Sequence, residues 1–239
     1  MESYHAYVTH PQLLPFTGDA NAAYHVLGRH VNVNYTPFGV VSPHVADKKL
    51  SEQWIIEEFG KYNGRSADNY DAEEDAGAVV VPEGKTARQA LGEAMRRTSE
   101  KMFGGDYSQV SESELLDALV YNVFPNFAPW GGFMPNIVYR WRPWPDQDHC
   151  LMEVRVIARV PEGQPRPRGV PFHLLSDDEC WADAPELGVV GGVVDQDMAN
   201  MELTHEGLKV SKNQRVELGD YQEVRIRHFH QTLDSYIAD

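Results

Sequence analysis

Apolar residues in the middle of this 239-residue chain recur at every second position, and on both sides of that block they recur every three or four. Residues 122–127, 136–141 and 150–160 read as antiparallel strands, the last two joined across 143–148. Residues 24–35 add a strand in which Val31, Val33 and Tyr35 alternate with polar residues. Helical spacing covers 50–62, 86–103 and 111–120, and then two long segments, 184–209 and 220–237. Helices, a block of strands and long helices again predict an α+β fold, an antiparallel sheet curled around a long C-terminal helix, over a single domain 1–239. The space between such a sheet and its helix is a largely apolar pocket, which suits a hydrophobic or aromatic small molecule.

Local signals set the boundaries. Gly104-Gly105 stops the helix that carries the stripe Ala90, Leu91, Ala94 and Met95. Ser111-Glu112-Ser113-Glu114 has the pattern of a capping box. The acidic run 65–77 and the Pro/Gly-rich run 161–171 read as surface loops.

Charge removes whole classes of partner. With 21 Lys plus Arg against 36 Asp plus Glu, the net charge of −15 repels phosphate backbones and anionic lipid, so neither nucleic acid nor a membrane surface is expected. The only cysteines, Cys150 and Cys180, make neither a disulfide framework nor a thiolate metal site, which fits a reducing cytoplasm. No run approaches the length of a transmembrane helix, and the first residues lack a secretory pattern.

Chemistry concentrates at two distant places. His5 and His10 stand five apart, about 140° round an ideal α-helix, so both can face one ion only if the helix is distorted; Pro11 supplies a reason for distortion. Asp197 shares a helical stripe with Val190, Val193, Val194, Asn200 and Met201, whereas Asp195 points elsewhere. A carboxylate on a core-facing stripe needs a cation or a metal. Two ordinary histidines, and a buried aspartate bonded to backbone or arginine, are the competing explanation. Together, two imidazoles and one carboxylate compose the facial triad of non-haem iron(II) oxygenases.

The string Glu-Ser-Tyr-His-Ala-Tyr-Val-Thr-His-Pro from Glu2 resembles the iron motif of Rieske non-haem iron aromatic-ring-hydroxylating oxygenase α subunits, and Asp197 with Asn200 and Met201 resembles its second half. Phe124-Pro125-Asn126, Trp141-Arg142-Pro143 and Ile226-Arg227-His228-Phe229-His230 are weaker similarities. The resemblance implies a START-like helix-grip domain in which His5, His10 and Asp197 hold mononuclear Fe(II). It implies that Glu2 passes an electron from a neighbouring subunit of a homotrimer, and that Tyr4 and Asn200 support the site. The implied reaction uses O2 to hydroxylate an aromatic or other hydrophobic substrate. The Cys-x-His and Cys-x-x-His pairs of a [2Fe-2S] Rieske cluster do not occur in these 239 residues, so a separate Rieske or reductase protein is the expected electron source. A non-enzymatic START-like carrier of hydrophobic ligands is the alternative.

Other candidates have plainer readings. His228 and His230 diverge by about 200° on a helix and read as structural. A second metal site at His25 and His30 is not expected. Tyr139, Trp141 and Trp144 alternate with Arg140 and Arg142, as in a strand with one core face and one charged face. Gly191-Gly192 reads as a place of close packing.

Overall fold

The computed structural model describes residues 5–45, 50–64, 79–133, 136–146, 149–157, 159–213 and 215–238. The loop expected at 65–77 lies outside them. Six strands, β1 (Ala23–Val26), β2 (Val31–Thr36), β3 (Ala118–Val123), β4 (Phe127–Gly131), β5 (Ile137–Pro143) and β6 (Cys150–Val156), form one antiparallel sheet in chain order. Five α-helices accompany it: α1 (Glu52–Gly64), α2 (Ala87–Phe103), α3 (Glu112–Leu116), α4 (Val189–Val210) and α5 (Val224–Ile237). This is the α+β, helix-grip arrangement expected from the periodicities.

Capping boxes fix the starts of α2 and α3. Thr86 and Gln89 exchange side-chain and backbone bonds at the start of α2, which ends on Gly104 with φ 69°. Ser111 and Glu114 make the same reciprocal box on α3. These helices and α1 enclose a core of Ile55, Ile56, Ala87, Ala90, Leu91, Leu115 and Leu116 around Phe16, which meets Phe59 edge-on at 5.4 Å.

Several boundaries differ from expectation. The helix expected over 111–120 stops at Leu116, because Asp117 turns the chain into an extended conformation, φ −85° and ψ 149°. Its fully buried carboxylate accepts from the Phe38 amide at 3.0 Å and from Arg88 at 2.8 Å. Strand β3 then runs on through Leu119-Val120-Tyr121, and the chain turns at 124–126, so the strand expected over 122–127 is divided between β3 and β4. The single strand expected over 24–35 is likewise a hairpin, β1 and β2, around a turn with Gly28 at φ 83°.

Register assigns the faces. Tyr24, Asn34, Val120 and Trp130 are successive cross-strand partners, and Ala128 pairs with Tyr139, so these side chains share one face. Helix α5 packs on that face over β1 and β2. There Arg225 donates to Asn32 Oδ1 (2.8 Å), Asn32 Nδ2 meets His228 Nδ1 (3.1 Å), and His228 Nε2 meets the Gly28 carbonyl (3.0 Å). His228 is therefore structural, as its spacing suggested. Asn32 is more buried than its apolar neighbour Val33, so β2 is covered on both faces rather than half-buried.

Candidate metal centre

The segment that carries His5 and His10 is not an α-helix. Residues His5–Thr9 form a π-helical turn closed by the His10 amide on the His5 carbonyl, 3.3 Å, and Pro11–Leu13 continues as a 3-10 turn. A turn closed from i to i+5 brings residues five apart onto one side, which removes the divergence an ideal helix would impose. Pro11 at the first position of the 3-10 turn tightens the chain just past His10.

The second segment is the buried half of α4. Two 3-10 turns, Trp181–Asp183 and Pro185–Leu187, precede it, and Asp195 caps the first by accepting the Trp181 and Ala182 amides at 2.8 and 3.0 Å. A Cβ on Gly191 would stand 2.5 Å from the Trp181 carbonyl oxygen, so this crossing needs glycine. Gly192 meets nothing within 4 Å, so close packing holds for the first glycine of the pair only. Asp195 points to the turn, and Asp197 to the histidines.

There His5, His10 and Asp197 converge as a group that could hold a metal ion. His5 Nε2 lies 2.8 Å from Asp197 Oδ1, His10 Nε2 lies 3.1 Å from the same oxygen, and the two imidazole nitrogens are 3.0 Å apart. An octahedral ion with bonds of about 2.1 Å spaces its adjacent ligand atoms at about 3.0 Å. The spacing of the three atoms therefore fits a metal ion that two imidazoles and one carboxylate would hold. The site opens on the His5 side, since that side chain is 44% exposed and His10 only 7%.

Charge is balanced locally. Burial alone would raise the Asp197 carboxyl, but bonds from His10 and His5 hold it at about 2. Burial opposes a charged His10, yet the bonds to Asp197 and Gln196 raise its pKa above the ordinary value. The sign of the linkage follows for the metal-free protein. The Asp197 contribution is present above the ordinary carboxyl pKa of 3.8 and is lost as pH falls toward about 2. The His10 contribution is full below 6.5 and is lost as pH rises through the folded value. The Tm advantage of wild type over His10→Gln should therefore shrink from pH 5.5 to pH 8.5, read by thermal melts in chelator. An advantage that grew over that range would contradict the pairing.

Beside these three residues, Asn200 Nδ2 donates to Thr9 Oγ1 at 3.1 Å and ties α4 to the π turn. Tyr139, on the inner sheet face, has its phenol pushed well above its ordinary range by burial and then by the Asp197 carboxylate. Its neighbours are Trp130 at 6.4 Å and Trp141 at 5.7 Å, ring to ring, while Arg140 and Arg142 pair with Glu153 on the opposite face. Gln12 and Gln196 also touch the centre and had no signal in the sequence beyond adjacency to ligands. Glu2 and Tyr4 lie outside the described residues.

A cavity between the sheet and α5 is about 150 Å³, lined by Asn122, Arg225, Ile226 and Phe229. Ile226 and Phe229 supply its apolar part, and Asn122 and Arg225, the latter bonded to Asn32, its polar part. A second cavity of about 500 Å³ lies between 79–82 and α2, with none of the three ligand residues in its lining.

No described helix is long and apolar enough to cross a membrane. One family model, the ring hydroxylating alpha subunit (catalytic domain), matches residues 1–239. No curated protein and no solved structure matches the chain. Membership implies a non-haem iron in the catalytic domain, and a face of two imidazoles and one carboxylate has the donor set such an iron takes. The chain belongs to the ring-hydroxylating oxygenase α-subunit family, matched along the catalytic domain.

Proposed function

We propose that residues 1–239 form one catalytic domain in which His5, His10 and Asp197 hold Fe(II), and which hydroxylates an aromatic or other hydrophobic substrate with O2. The observation that carries this reading is the triangle of donor atoms at 2.8, 3.0 and 3.1 Å. When bound, the iron supplies the oxidising chemistry at its open positions. The chain fixes the geometry. Asp197 and the two imidazoles would hold the ion, Asn200 holds Thr9 and with it the π turn, and buried Tyr139, packed with Trp130 and Trp141, feels the carboxylate from the sheet. Glu2 is proposed as the acid through which electrons enter from a separate Rieske [2Fe-2S] protein, in the cytoplasm, where Cys150 and Cys180 stay reduced.

Electron supply is the test. With iron, O2, a Rieske protein and its reductase, labelled oxygen from 18O2 should enter an aromatic substrate over many turnovers. With the reductase alone, NADH should sustain none. Multiple turnovers without any Rieske protein would refute the outside electron source, and tight hydrophobic-ligand binding with no oxygenation under the full system would favour the carrier.

Assembly as a homotrimer belongs to the same proposal. Residues 201–210 of α4 are exposed on every side, including Leu203 and Val210, as a helix end waiting for a neighbour would be. Light scattering over a range of concentrations should show the trimer, and a monomer at every concentration would remove the role assigned to Glu2.

A further inference from the structure

A metal-binding histidine must present one nitrogen as a lone pair, and the hydrogen bond at its other nitrogen decides which one that is. His10 Nδ1 lies 2.9 Å from Gln196 Oε1. The same oxygen accepts from Gln12 Nε2 at 2.7 Å, and Gln196 Nε2 returns a bond to Gln12 Oε1 at 3.4 Å. The two carboxamides bond reciprocally, and in this arrangement Gln196 turns its oxygen to His10. An oxygen there takes the Nδ1 proton, so in a metal-bound protein, where an ion replaces the proton that Nε2 shares with Asp197, Nε2 is the nitrogen left to coordinate.

We propose that Gln196 and Gln12 are positioning residues: a carboxamide pair that locks His10 in its Nδ1–H tautomer and joins the two chain segments that carry the metal ligands. The proposal rests on His10 being a ligand. Gln12 sits in the 3-10 turn after His10, and Gln196 precedes Asp197, so one interaction sets the ring orientation and the spacing between segments. An uncharged acceptor does this without adding a second carboxylate beside Asp197, so the imidazole remains a neutral donor. The ligand face then carries a single negative charge against a divalent ion.

The test is the affinity of the metal-free protein for Co(II), read from its visible absorption, together with 15N NMR of the histidines in the Zn(II)-loaded protein. Gln196→Leu should weaken Co(II) binding by about 10–100-fold, and Gln12→Leu by less. Gln196→Glu, which still accepts from Nδ1–H, should restore most of the affinity. In wild type the His10 proton should be found on Nδ1; this readout does not depend on any variant folding. Unchanged affinity in Gln196→Leu, or a proton on Nε2, would overturn the positioning pair and leave the metal site standing. Absence of Co(II) binding by wild type would overturn both.

Discussion

Asp197→Ala should take iron content after anaerobic Fe(II) reconstitution from about one ion per chain to none. The carboxylate is the only anionic member of the donor face, and both imidazoles lie within 3.1 Å of its Oδ1. Without it, a divalent ion would keep two neutral nitrogens, one of them on a half-exposed ring, with nothing to offset its charge. The loss should be specific rather than a failure to fold. Asp197 lies on α4, whose anchor to the 181–183 turn runs through Asp195 and Gly191, and neither is disturbed. Metal analysis after gel filtration, beside a circular dichroism spectrum, separates the two outcomes. Equal iron in wild type and variant would sink the assignment of all three ligands.

Asp117→Ala should be the most damaging single change away from the metal, costing about 3–5 kcal/mol of stability. Asp117 is fully buried, and its carboxylate serves the Arg88 guanidinium and the Phe38 amide together. Removing it leaves a partly buried cation and an amide without their acceptor at the point where α3 gives way to β3. Arg88 also donates to the Phe38 carbonyl at 2.7 Å, so the damage reaches the loop that carries Phe38 against Phe16. Urea unfolding measures it. The pair Asp117→Ala with Arg88→Met should recover part of the loss, because the stranded charge goes with the arginine. A loss under about 1 kcal/mol would show that water reaches Arg88 in the variant.

Periodicity alone revealed the class of this fold, because alternation and helical spacing report which side of an element is covered. It misjudged the ends wherever a tertiary bond decided them. Leu116 ends α3 because Asp117 is held by groups 29 and 79 residues away, a fact without local trace. Asn32 looked like the wet side of a strand and is instead buried beneath α5, since Arg225 and His228 meet its amide from nearly two hundred residues on. At the site, residue types and motif resemblance singled out His5, His10, Asp197 and Asn200, which the fold brings together. The π turn was legible only as a need for distortion, because no propensity encodes an i to i+5 bond. Gln12, Gln196 and Tyr139 were not legible as site residues, since a glutamine beside a ligand and a tyrosine in a strand are ordinary until the segments meet.

His5 and Asp197 are 192 residues apart, and all six strands lie between them. An ion bridging them would act as a clasp around the whole sheet, closing a loop of 192 residues. The entropy of that closure grows with the logarithm of loop length, so a pair 192 residues apart costs about 3 kcal/mol more than a pair five apart. It gains in return a dependence on everything between them: the ligand face exists only when the sheet has formed and brought the first turn against α4. Metal at a hundred times its dissociation constant would add about 2.7 kcal/mol to the unfolding of the whole chain rather than to one element. Iron supply would then set how much folded protein persists, as well as how much of it is active.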